Sequence, residues 1–245
     1  MPSVADERLT SPRERLIVAL DVSTPAAARK IVDQVGDSAS IYKVGMQLFT
    51  AAGPQFVRDL VASGRRIFLD LKYHDIPNTV AAAVADAGRL GASMLTIHAL
   101  GGGKMMRAAA EAARHTNPAM KLLAVTVLTS MDDAELDQVG VKETVLNEVL
   151  RLAGLALKEG CSGLVASAQE ASAIRSQFGR EFLVVTPGVR PIGADHGDQA
   201  RVVTPAQAIA AGASHIVVGR PITAAPDPAA AAKSILEQLD AVATL

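Results

Sequence analysis

The sequence has no tryptophan, two tyrosines and five phenylalanines in 245 residues. Its core must therefore be aliphatic, which suits parallel strands covered on both faces by helices. A single cysteine, Cys161, excludes an internal disulfide. Its apolar setting reads as a buried, inert thiol rather than a nucleophile. A formal net charge of −1 removes the electrostatic case for nucleic acid or an anionic membrane as partner. No uncharged apolar run reaches membrane-spanning length. The first fifteen residues mix Asp, Glu and Arg where a signal peptide would be apolar. These absences point to a cytoplasmic, soluble chain long enough to bury its own core.

What is present is a rhythm. Short β-branched or apolar runs recur at 16–22, 41–45, 67–72, 94–98, 122–128, 163–167, 182–186 and 215–219. Ala-rich stretches with helical character lie between most of them, at 25–35, 79–90, 104–115, 144–159 and 229–242. Strands alternating with helices imply βαβ units and a parallel sheet. Eight units favour a closed TIM (β/α)8 barrel over an open sheet. No Pro/Ser-rich linker divides the chain, so one domain is expected over residues 13–245. Residues 1–12 read as an N-terminal tail or a cap beneath the barrel. Two connections are enlarged, from Thr129 to Val141 and from Pro187 to Val203. Both follow strands, which places them on the catalytic face of a barrel, and the glycine-rich second one has the composition of a lid.

The polar residues collect where the strands should end. Asp70 and Lys72, two apart on an extended run, share a face, and Asp75 follows before Pro77 interrupts the ladder. Charges facing a barrel interior are expensive unless paired or used. Asp21 ends the first strand, Lys43 lies on the second, His98 ends the fourth, and Thr129 and Ser130 follow the fifth. In a network of Lys43, Asp70, Lys72 and Asp75 each charge compensates the next, and the carboxylates keep the lysines protonated. A protonated Lys72 is a proton donor, not a Schiff-base nucleophile.

The last two strand ends suit phosphate. Pro187-Gly188-Val189-Arg190 and Gly219-Arg220-Pro221 each offer glycine backbone for close approach and a guanidinium to grip oxygens. That pair of strands builds the recurrent barrel phosphate site. Asp21, Asp70 and Asp75 could instead hold a hard divalent cation, but the interleaved lysines already supply positive charge, so no metal is expected. His98 reads as a hydrogen-bonded structural histidine before a general base, His74 and His196 as solvated, and His115 and His215 as peripheral.

Several segments together resemble the orotidine 5'-phosphate decarboxylase family, in its bacterial short form. They are Leu20-Asp21, Tyr42-Lys43-Val44-Gly45, the string from Phe68 to Thr79, Thr96-Ile97-His98-Ala99, Val127 to Ser130, Pro187 to Pro191, Gly197-Asp198-Gln199 and Val218 to Ile222. The resemblance implies a homodimeric barrel that converts orotidine 5'-monophosphate to UMP with no cofactor. It implies that Lys43, Asp70, Lys72 and Asp75 form the charged network, with Asp75, Ile76 and Thr79 reaching the partner subunit's site. Asp21 and Lys43 would bind ribose, and Thr129 or Ser130 the pyrimidine edge. Gln199 would bridge base and phosphate, and Arg190, Gly219 and Arg220 would hold the phosphate. A Mg-dependent sugar-phosphate decarboxylase or aldolase shares the Asp-x-Lys-x-x-Asp core, and an acid at the position of Lys43 would have favoured it. A phosphate sensor on a retired barrel would keep the arginines and lose the network.

Overall fold

A computed structural model describes residues 11–191 and 203–243. Eight strands form in the expected places: β1 Leu16–Ala19, β2 Ile41–Gly45, β3 Arg66–Tyr73, β4 Met94–His98, β5 Lys121–Val125, β6 Gly163–Val165, β7 Leu183–Thr186 and β8 His215–Val218. All neighbours pair in parallel, and β8 returns to β1 through Leu16 opposite Ile216, so the sheet closes. Closure leaves no sheet edge to protect. The chain enters β1 through a single helical turn, Pro12–Arg15, where the Ser11 N–H donates to the Glu14 carboxylate at 3.3 Å.

Helices cover the outside. Pro25–Val35 is capped by Thr24, whose hydroxyl accepts from the Ala27 N–H at 3.2 Å, and Val145–Lys158 is capped in the same way by Thr144. Val32, Val84, Ala109, Leu152 and Ile174 bury their faces against the outward side chains of the strands. Met46–Ala62 is a helix that the sequence pattern hides. Gly53 at φ 70° and Pro54 break its regular dihedrals, so the apolar period is interrupted at the kink.

A second apolar cluster plugs the barrel itself. Ile17, Ala19, Ile41, Phe68, Met94, Leu123, Val185 and Val217 fill it. Side chains two apart on a strand share a face. Stepping upward from this plug leads to Lys43 and Asp70 at the carboxyl ends of the strands. Stepping downward leads to Arg66, Lys121 and His215 at the amino ends. The barrel axis is therefore apolar in the middle and charged at both mouths.

His215 corrects the sequence reading. It is 2% exposed, not peripheral, and burial with the charges of Arg66 and Arg15 pushes its imidazole down to about 3. Cys161 is a free, buried thiol pushed up to about 12, mainly by burial. No helix of the described residues is long and apolar enough to cross a membrane.

Candidate active site

A cavity of about 480 Å³ opens at the carboxyl ends of the strands. It gathers Asp21, Lys43, Asp70, Lys72, Thr129, Pro187, Arg190, Gly219 and Arg220, nine of the residues singled out in the sequence. They come from β1, β2, β3, the turn after β5, and the ends of β7 and β8. The sequence scatters them over two hundred positions; closure of the barrel brings them to one rim.

The floor is a chain of alternating charge. The Lys43 ammonium donates to the Asp21 carboxylate at 2.7 Å and lies 3.7 Å from Asp70. Lys72 Nζ donates to Asp70 Oδ1 at 2.8 Å. Burial pulls the Asp70 carboxyl upward. The charges of Lys72 and Lys43 and the hydrogen bonds from Lys72 and Thr96 outweigh it, so Asp70 stays ionised below the usual carboxylate range. A buried cation, Lys43, and a half-buried one, Lys72, on one carboxylate give a fixed field, set before any ligand arrives.

Lys72 is held by a strained backbone. Its φ is 49°, the left-handed region that a side chain seldom adopts, and the pairing of β3 with β4 shifts register between Leu69 and Tyr73. This bulge frees the Lys72 N–H from the ladder, and Thr96 Oγ1 accepts it at 2.9 Å. The same hydroxyl donates to Asp70 Oδ1 at 3.0 Å. Thr96 thus ties the strained turn to the ionised carboxylate. Sequence reasoning gave it no role of its own, although a hydroxyl two residues before His98 on an apolar, inward-facing strand was a usable signal.

Gly45 is a second such residue. A Cβ there would lie 3.2 Å from Lys43 Nζ and 3.4 Å from Asp21 Oδ1, so glycine leaves room for the ion pair. On the opposite rim Gly188 lines the cavity at φ 75°, a turn that favours glycine. Arg190 is 7% exposed. Its backbone N–H donates to the Val203 carbonyl at 2.9 Å beside a parallel bridge between Val189 and Val203. Arg220 opens the short helix Arg220–Thr223, with Pro221 in its first turn.

Asp75, Ile76 and Thr79 do not line this cavity. Asp75 is exposed and accepts from the Ile76 N–H at 2.6 Å, while Ile76 is 66% exposed. Ser130 is exposed and does not line it either. Gln199 and His196 lie outside the described residues. The three carboxylates of a cation site do not converge, because Asp21 and Asp70 sit on lysines and Asp75 stands apart. His98 accepts from the Leu100 N–H at 3.4 Å and stacks on His74, with ring centroids 5.6 Å apart. Burial and the charges of His74 and Lys72 hold it below its ordinary pKa, which suits a neutral structural ring.

A closed eight-stranded barrel with charged groups from several strand ends around one mouth defines a (β/α)8-barrel enzyme. The model of the family described as Orotidine 5'-phosphate decarboxylase / HUMPS family matches residues 14–235. The orotidine 5'-phosphate decarboxylase of Moorella thermoacetica is 52% identical over 236 residues, 94% of each chain. That of Halorhodospira halophila is 53% identical over 227 residues, 93% of this chain and 96% of its own. The crystal structure of orotidine 5'-phosphate decarboxylase from Lactobacillus acidophilus superposes with a TM-score of 0.83 at 40% identity, covering 92% of this chain and 98% of that one. The chain belongs to the orotidine 5'-phosphate decarboxylase / HUMPS family.

Proposed function

We propose that this chain decarboxylates orotidine 5'-monophosphate to UMP, the last step in building a pyrimidine nucleotide, with no cofactor. The observation that carries the reading is the Asp21–Lys43–Asp70–Lys72 chain beneath a rim of arginines. The bond between ring carbon 6 and the substrate carboxylate breaks, carbon dioxide leaves, and the electron pair stays on carbon 6. The Lys72 ammonium stabilises that charge and delivers its proton to the carbon. Asp70 lies against the departing carboxylate and keeps the Lys72 ammonium aimed through the 2.8 Å hydrogen bond.

Asp21 and Lys43 bind the ribose hydroxyls. Thr129 is favoured over Ser130 for the pyrimidine edge, because only Thr129 of the two lines the cavity. Pro187, Arg190, Gly219 and Arg220 receive the phosphate, and Gln199 bridges it to the base. Phosphate binding remote from the reacting carbon supplies energy to assemble the charged site. The enzyme works in the cytoplasm as a homodimer. Asp75, Ile76 and Thr79, outside their own cavity and with Ile76 bare, complete the partner's site.

Loss of the ultraviolet absorbance of orotidine 5'-monophosphate tests the reading, run with and without EDTA. Turnover untouched by EDTA is expected. Activity that vanishes in EDTA and returns with Mg would instead favour a metal-dependent sugar-phosphate enzyme on the same barrel.

A further inference from the structure

The amino-end mouth of the barrel holds a larger cavity, about 900 Å³, whose charged lining among the described residues is all of one sign. Arg15, Arg66, Lys121, Arg175 and Arg180 line it, and no aspartate or glutamate of the described residues does. None of the five forms an ion pair among the described residues. Arg175 is pinned: it donates to the Gly212 and Phe182 carbonyls and to Ser214 Oγ, each at 2.9 Å. Arg66 donates to Ser40 Oγ at 3.1 Å. The side chains of Arg15, Lys121 and Arg180 have no hydrogen-bond partner among the described residues.

A second observation is independent of these charges. His215 lines the same cavity, and its Nδ1 is buried with no hydrogen-bond partner among the described residues. A buried polar atom without a partner lowers stability, and so do five like charges around one hollow. The electrostatics register the strain: burial and the charge of Arg180 push the Arg175 guanidinium down to about 10. Glu14 is the acid whose charge reaches His215, and it acts against Arg66 and Arg15. An anion rich in oxygen would offset the excess of positive charge, and its field would act directly on the His215 ring in the cavity wall. A single phosphate engages two or three cations, whereas five cations in this volume match a chain of phosphates.

We propose that the amino-end cavity binds a condensed phosphate, as the free polyanion or as the phosphate chain of a nucleoside triphosphate. The site lies at the opposite end of the barrel from the decarboxylation chemistry. A ligand held only by the folded chain raises its stability by mass action.

Calorimetric titration of the full chain with sodium tripolyphosphate tests this, at an ionic strength fixed with chloride. Arg220→Ala removes the competing phosphate grip of the catalytic mouth, and saturable binding should survive in it. Lys121→Ala combined with Arg180→Ala should weaken that binding at least tenfold. A parallel titration with a nucleoside triphosphate distinguishes the two sources of the phosphate chain. The His215 imidazole resonances of the unmodified protein should move on saturation, a readout that holds even if the double variant folds poorly. No saturable binding would overturn the proposal. So would binding lost in Arg220→Ala alone, or His215 resonances that stay still. Binding that appears only after residues 1–10 are removed would overturn it too, because the chain's own carboxylates would then be the occupants.

Discussion

The two mouths of this barrel are built on the same inward columns of side chains and treat charge in opposite ways. At the carboxyl end acids and bases alternate, and each ion is answered within 2.8 Å: Lys43 by Asp21, and Lys72 by Asp70. At the amino end the cations stand together with no acid in the lining among the described residues. The first arrangement pairs its own charges without a ligand and yields a fixed field, the condition for acting on charge as it develops. The second is incomplete, and its field favours an arriving anion. A barrel can thus place reactivity and affinity at opposite ends of one apolar plug.

The contrast can be broken at its strongest point first. Lys72→Ala should lower turnover by about a thousandfold or more, since it removes the proposed proton donor together with its charge. Calorimetric binding of UMP should change far less, because the donor acts mainly in the transition state. Near-normal turnover would remove Lys72 from the chemistry. Arg220→Ala should weaken the nucleotide by roughly 2–5 kcal/mol, the worth of a charged contact in a closed site. The matching nucleoside, which lacks phosphate, should barely respond. Equal losses for both would take Arg220 out of the phosphate grip.

A third measurement asks whether the carboxyl end is finished from outside the chain. Lys72→Ala and Asp75→Ala chains, each inactive alone, should regain activity when mixed. Random pairing makes about half the dimers mixed, each with one sound site, so recovery should approach roughly a quarter of wild type. Labelled chains followed by mass spectrometry verify exchange. Heterodimers without activity would place Asp75 in its own subunit's chemistry.

The last comparison separates the two ends by pH. His215 is held at about 3 in the fold against an ordinary 6.5, so the unfolded chain takes up a proton that the folded chain refuses. Its contribution to stability is whole above 6.5 and falls as the pH drops from there towards 3, at most about 1.4 kcal/mol per pH unit. Asp70 is held below its ordinary 3.8, so its contribution is whole above that value and disappears only in stronger acid, as the pH passes the folded value. Denaturant unfolding at a series of pH values should therefore show His215→Gln flattening the profile between 6.5 and 4, with Asp70→Asn acting lower. A flattening by Asp70→Asn at pH 6 would contradict the assignment.

Much of this architecture was legible because the strands obey a simple rule. Each apolar run between Gly-rich or polar breaks became a strand, and polar residues just beyond the runs became the rim, as with Asp21, Asp70 and Arg190. What escaped was local backbone. The helix Met46–Ala62 is interrupted at Gly53-Pro54, and nothing in the sequence announces a lysine at φ 49°. Thr96 was passed over because a threonine in a strand satisfies β-propensity without further explanation. His215 was misplaced by its position at a strand's first residue; the period of two from Val217 already turned it inward. The ends of the chain's longer connections could be located from the glycines and polar residues that follow β5 and β7.

The bridge between Val189 and Val203 works as a clasp. The Arg190 N–H donates to the Val203 carbonyl at 2.9 Å. The next residue, Thr204, caps the helix Pro205–Ala210, its hydroxyl accepting from the Gln207 N–H at 3.2 Å. An arginine of the rim is thereby anchored through its backbone to a helix of the outer layer. Every residue except proline carries the N–H that the clasp needs. The guanidinium and the anchorage can therefore be altered independently: Arg190→Ala takes the first, and Arg190→Pro takes the second.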